Sequence, residues 1–173
     1  MTKIFTLAAI LSIFYIPVIK AQSTAQKTNY IISISRNVEW PAEMRNESTF
    51  RVAVLGSFTL YKALTDELMG RSIFNKNIDV VNIMRPQDLK LADYHIVYIA
   101  DEVCNKTTIN SIISVTQGKG CLLLTETEGS LLLGASINFI FRNGKLYFEV
   151  SQINANRQGL KLTTNLMNFA YNK

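Results

Sequence analysis

Four short apolar runs alternate with stretches of helical periodicity, and that alternation limits what the chain can fold into. The runs cover 50–55 (FRVAVL), 78–83 (IDVVNI), 94–100 (YHIVYIA) and 121–125 (CLLLT). Near-continuous apolar strands of this kind are buried on both faces, with helices covering the sheet. Between the first two runs, 59–69 puts Leu60, Leu64 and Leu68 on one helical face, and Gly70 follows as a stop signal. A short turn or helix is expected around 86–89. A longer helix is expected over 107–116, closed by Gly118 and Gly120. Strands alternating with helices favour a parallel sheet joined by right-handed crossovers.

The C-terminal part departs from this alternation. In 137–150 (INFIFRNGKLYFEV), Asn143-Gly144 separates two segments of strand character. Both residues tolerate positive φ, so the pair predicts a two-residue antiparallel hairpin. A polar stretch, 151–159, leads to 160–162. Thr163 or Thr164 then caps a last helix carrying Leu166, Met167 and Ala170. Towards the N-terminus, Tyr30, Ile31, Ile34 and Val38 recur at helical spacing. Ser23 or Thr24 would start that helix and Pro41 would end it, with 42–49 a polar loop. The expected fold is one α/β domain, a sandwich with a mostly parallel sheet, helices on both faces and the Asn143-Gly144 hairpin at the C-terminal side.

Residues 1–22 (MTKIFTLAAILSIFYIPVIKAQ) have the pattern of an export signal: Lys3, an apolar run, and the small Ala21 at a plausible cleavage position. A membrane anchor is the competing reading, but the run is short for a span and Pro17 and Lys20 suit processing. The expected division is a signal peptide over 1–21 and one domain over 22–173, in the periplasm or outside the cell. Cleavage removes Lys3 and Lys20, so the formal charge falls from +5 to +3. That balance, without a cluster of basic residues, argues against nucleic acid as a partner.

The chain shows no nucleotide-binding glycine motif, no G-x-S-x-G elbow and a single histidine, His95. His95 opens an apolar strand and reads as a structural residue. Asp93, Asp101 and Glu102 lie near it in sequence, but their spacing matches no metal motif. No enzyme, metal or cofactor is expected. In an open α/β sheet a ligand favours the carboxyl ends of the strands, which here are Gly56, Ser57, Asp101 and Thr125. Gly56-Ser57 before a helix could receive an anion, or could be a plain capped turn.

The two cysteines flank one helix. About 10 helical residues span about 15 Å, and a disulfide needs Cα atoms about 4.4–6.8 Å apart. An internal bridge is therefore disfavoured. Cys121, in an apolar strand, is expected as a buried thiol. Cys104 is either partly buried or exposed and able to link two chains.

Three segments together resemble the YfiR family of small exported bacterial proteins. They are 30–41 (YIISISRNVEWP) with its Trp-Pro ending, the strands 50–56 (FRVAVLG) and 94–100, and the series 134–139 (GASINF), 145–150 (KLYFEV) and 159–167 (GLKLTTNLM). The resemblance spans roughly 28–171. Where relatives often carry Cys before the strand histidine, this chain has Tyr94. The resemblance implies a periplasmic, non-enzymatic homodimer of sandwiched α/β fold. It further implies repression of a membrane-bound diguanylate cyclase, or control of a sensor kinase, by contact with the periplasmic part. An outer-membrane lipoprotein that sequesters the repressor is implied as a second partner.

Arg36, Glu39 and Trp40 are the expected partner surface, since exposed Arg and Trp anchor interfaces. The alternative places Trp40 in the core. A periplasmic small-ligand binder, with its ligand at the strand ends, is the second functional expectation.

Overall fold

The computed structural model describes residues 15–91 and 93–171, with side chains from Thr24 onward except at 90 and 91. The export signal expected over 1–21 lies outside the described residues, apart from the backbone of 15–21. Helix α1 (Tyr15–Arg36) leads into β1 (Val38–Glu39) and α2 (Ala42–Asn46). Next come β2 (Thr49–Leu55), α3 (Phe58–Leu68), β3 (Ser72–Ile73) and β4 (Lys76–Ile83). A 3-10 turn (Pro86–Leu91), β5 (Ile96–Ile99), a second 3-10 turn (Asp101–Val103), α4 (Lys106–Thr116) and β6 (Leu122–Thr125) follow. The chain continues through α5 (Ser130–Leu133), β7 (Ile137–Arg142), β8 (Lys145–Val150), α6 (Gln152–Arg157), β9 (Lys161–Leu162) and α7 (Thr164–Phe169).

The main sheet has seven strands in the order β3-β4-β2-β5-β6-β7-β8. The five central strands are parallel, as the alternating pattern predicts. Alternate residues along them face opposite cores. Phe50, Val52, Val54, Ile96, Tyr98, Leu122 and Leu124 pack under α1 and α3. Ala53, Leu55, Val97, Ile99 and Leu123 pack against α4, which supplies Ile109 and Ile112. Helices thus cover both faces, and each fully buried Leu, Ile or Val side chain contributes about 1.5–3 kcal/mol.

The hairpin forms where Asn143-Gly144 places it, with Arg142 opposite Lys145 and both turn residues at positive φ. Only β8 is antiparallel at that edge, because β7 runs parallel to β6. Thr163 caps α7, its hydroxyl accepting from the Leu166 N–H at 3.2 Å.

Several elements differ from the sequence expectation. α1 does not start at Ser23 or Thr24; it is already helical at Tyr15. It ends at Arg36, well before Pro41, because Val38 and Glu39 leave the helix to pair with Leu162 and Lys161. The expected loop 42–49 holds α2, begun by Pro41 at a position that needs no backbone N–H. The polar stretch 151–159 holds α6, capped by the Ser151 hydroxyl. The β3–β4 hairpin turns on Phe74 and Asn75, at φ 53° and 60°.

Candidate functional site

The central strand order places a crevice beyond the carboxyl ends of β2 and β5, where ligands bind in many open α/β sheets. Here the 3-10 turn after β5 packs over the end of β2. Gly56, at φ 90°, lies so close under Val103 that a Cβ there would stand 2.2 Å from Val103 Cγ2. Ser57 is occupied as the cap of α3, accepting from the Leu60 N–H at 3.2 Å. Asp101 accepts from the Thr127 hydroxyl at 2.6 Å. Thr125 is fully buried and donates to Asn138 Oδ1 at 2.9 Å, which leaves Ser130 Oγ, 2.6 Å away, as a donor to it. The structure thus leaves Gly56, Ser57, Asp101 and Thr125 in separate structural contacts. None of them lines the open cavity at the end of α1.

Arg36, Glu39 and Trp40, by contrast, share one open cavity of about 660 Å³. It lies where α1 ends. Trp40 is only 5% exposed, and its indole N–H donates to the Ser35 carbonyl at 2.9 Å. That carbonyl belongs to the last turn of α1, where helical partners run out. The indole meets Phe50 and His95 edge-on, both at 5.5 Å between ring centres. Trp40 is therefore a wall of the cavity and part of the core.

The floor is His95, 1% exposed. Its Nδ1 accepts from the Arg51 N–H at 3.2 Å, so Nε2 carries the proton and donates to the Met44 carbonyl at 3.0 Å. Burial lowers its pKa, the cations Lys76 and Arg51 lower it further, and the Met44 hydrogen bond opposes them. A neutral imidazole tied at both nitrogens has no free lone pair for acid–base work.

The other walls come from α2 and the β3–β4 turn. Met44 and Arg45 stand on α2. Phe74 is 48% exposed on the rim despite its size. Its left-handed backbone is disfavoured for a non-glycine residue by about 1–2 kcal/mol. Lys76 donates to the carbonyls of Arg45 and Met44, at 2.6 and 3.3 Å, and so fastens the turn to the end of α2. Glu39 pairs with Lys161 at 3.2 Å. Arg36 and Arg45 are exposed and make no ion pair among the described residues. The rim is net cationic.

Sequence reasoning found three of these lining residues and missed Arg45, Phe74 and Lys76. Arg45 lay in the supposed loop. The only mark of the Phe74 turn was Asn75, because Phe is not a residue that favours positive φ.

The YfiR/HmsC-like family model matches residues 24–171, from within α1 to the end of α7. The chain belongs to the YfiR/HmsC-like family. Trp40 of the Trp-Pro signature forms one side of the cavity in this YfiR/HmsC-like chain. No curated protein matches it in sequence. Among solved structures, an ABC domain from Streptococcus pneumonia in complex with L-Trp is similar, with a TM-score of 0.56 and 6% identity. The alignment covers 85% of this chain and 59% of that one, a likeness of fold alone.

Both cysteines are free thiols. Burial pushes the Cys121 thiol up to about 12. Cys104 is half-buried beside Thr127, and burial raises its pKa as well.

Proposed function

We propose that this YfiR/HmsC-like protein is an exported regulatory binding protein, not an enzyme. In this reading it controls, by repression, a membrane-bound signalling enzyme such as a diguanylate cyclase, through protein contact in the periplasm. Family membership supports a regulator. The observation that carries the contact is the cavity at the end of α1, where Arg36 and Arg45, which make no ion pair among the described residues, and an exposed Phe74 border an open space. Exposed arginine and aromatic side chains at the mouth of a cavity are the groups that anchor protein interfaces. His95, at the base, is bound at both nitrogens and serves the scaffold. A homodimer and sequestration by an outer-membrane lipoprotein belong to the same proposal.

The test is native capture from the membrane fraction with the tagged, exported protein, read beside cellular cyclic-di-GMP. Recovery of a membrane signalling enzyme, and a rise in cyclic-di-GMP when the protein is deleted, are the expected results. Capture that yields no membrane signalling protein under native conditions overturns the reading.

A further inference from the structure

We infer that the cavity at the end of α1 receives an acidic peptide segment, a carboxylate side chain set beside an aromatic or long aliphatic one. This rests on the protein-contact reading above and gives that contact its chemistry.

Arg36 and Arg45 reach the cavity from two different elements, α1 and α2. Neither spends its charge on an ion pair among the described residues. A planar guanidinium presents parallel N–H donors that match a carboxylate in geometry as well as charge. The third cation, Lys76, is already engaged by two backbone carbonyls, so it adds field more than contact.

Apart from these cations, Glu39 and the bound imidazole of His95, the lining is apolar. Trp40 and Met44 form a buried wall, and Phe74 stands half-exposed over the mouth. A hairpin of left-handed backbone fixes Phe74 in that place. An aromatic ring held at a rim offers a face to another ring or to an aliphatic chain. A bare inorganic anion would leave that surface unused. Glu39 also stands on the rim, and although Lys161 holds it, its charge disfavours a dianion more than a single carboxylate. Charge and shape together therefore select an acidic side chain with an apolar neighbour.

Trp40 is the sole tryptophan of the chain and lines the cavity, so its emission reports occupancy. The full exported chain is titrated with a terminally blocked hexapeptide of sequence GDFELG. A saturable change in Trp40 emission is expected, about tenfold or more weaker in affinity for the Arg36→Gln/Arg45→Gln variant and for the neutral peptide GNFQLG. Phe74→Gly should also weaken binding. Glycine suits that backbone, so lost folding would not be the cause.

No saturable change at millimolar peptide overturns the inference. So does equal affinity for the neutral peptide, or the same emission change with acetate or inorganic phosphate alone. A change that follows protein concentration without peptide means a second copy fills the cavity, which also overturns it. Membrane capture by the Arg36→Gln/Arg45→Gln variant separates the two readings. Capture at wild-type yield overturns the inference and leaves the protein-contact reading standing. Wild-type protein that binds the peptide saturably but captures no membrane protein overturns the protein-contact reading and supports the cavity chemistry.

Discussion

His95 is neutral for a physical reason that sets a pH dependence. It is buried, Arg51 N–H donates to Nδ1, and the cations Arg51 and Lys76 stand near it. Its folded pKa therefore lies below the ordinary 6.5. Above that value the imidazole is neutral in both states and its contribution is fully present. As pH falls below it, the unfolded chain takes up a proton that the folded chain refuses. Stability is then lost towards the folded pKa, at no more than about 1.4 kcal/mol per pH unit. The melting temperature should fall between pH 7 and pH 5, and His95→Gln should flatten that fall while lowering stability at pH 7. Equal slopes for wild type and variant in circular-dichroism melts would refute the assignment. The thiols give a second residue-scale outcome. A thiol reagent should label Cys104 slowly in the native protein and reach Cys121, held near 12 by burial, only after unfolding. The structural role of His95 was legible because it opened an apolar run. The exposed Arg45 and Phe74 were not, because nothing in a lone arginine or phenylalanine says which cavity it borders.

Two glycines of similar backbone separate conformational strain from steric conflict at the level of elements. Gly144, at φ 73°, forms the β7–β8 turn, and nothing lies within 4 Å of where a Cβ would stand. Gly56, at φ 90°, closes β2 directly beneath Val103. Gly144→Ala should cost about 1 kcal/mol through backbone strain alone. Gly56→Ala should cost clearly more, and Gly56→Ala combined with Val103→Ala should return the steric part but not the backbone part. Urea unfolding of the three variants decides this, and equal losses for the two single alanines would sink the argument. The same contrast explains which elements the sequence announced. The parallel strands and the helices α3 and α4 carry long apolar periodicities, and the hairpin carries Asn-Gly. The short elements α2, α6, β1, β3 and β9 hold between two and six residues each. At that length periodicity cannot be read, and pairing partners distant in sequence decide the structure. Val38 is a strand residue only because Leu162 lies opposite it.

α1 joins the two ends of the molecule. Its last turn carries Arg36 into the candidate site, and Ile31 and Ile34 are fully buried on the sheet. Nearer its start, Lys27 reaches Glu126, just beyond β6, in an ion pair whose side chains are 11% and 19% exposed. The phenol of Tyr98 is buried close by, and burial followed by the Glu126 charge raises its pKa well above 10. Sequence periodicity could assign α1 to the sheet face through Ile31 and Ile34. It could not find a partner 99 positions away. The cavity was partly legible in the same way, through the Trp-Pro pair between β1 and α2, while its α2 and β3–β4 walls came from segments the sequence did not mark. Removing one member of a largely buried pair strands the other charge, whereas replacing both with apolar groups can be close to neutral. Lys27→Met should therefore cost about 2 kcal/mol, below the full buried-pair penalty because both groups keep some contact with water. Lys27→Met/Glu126→Leu should cost less than the two single changes together. Denaturant unfolding of all four proteins measures that coupling. An additive result would mean that α1 is held by Ile31, Ile34 and its other apolar contacts alone, and that the ion pair has no part in fixing Arg36 at the cavity.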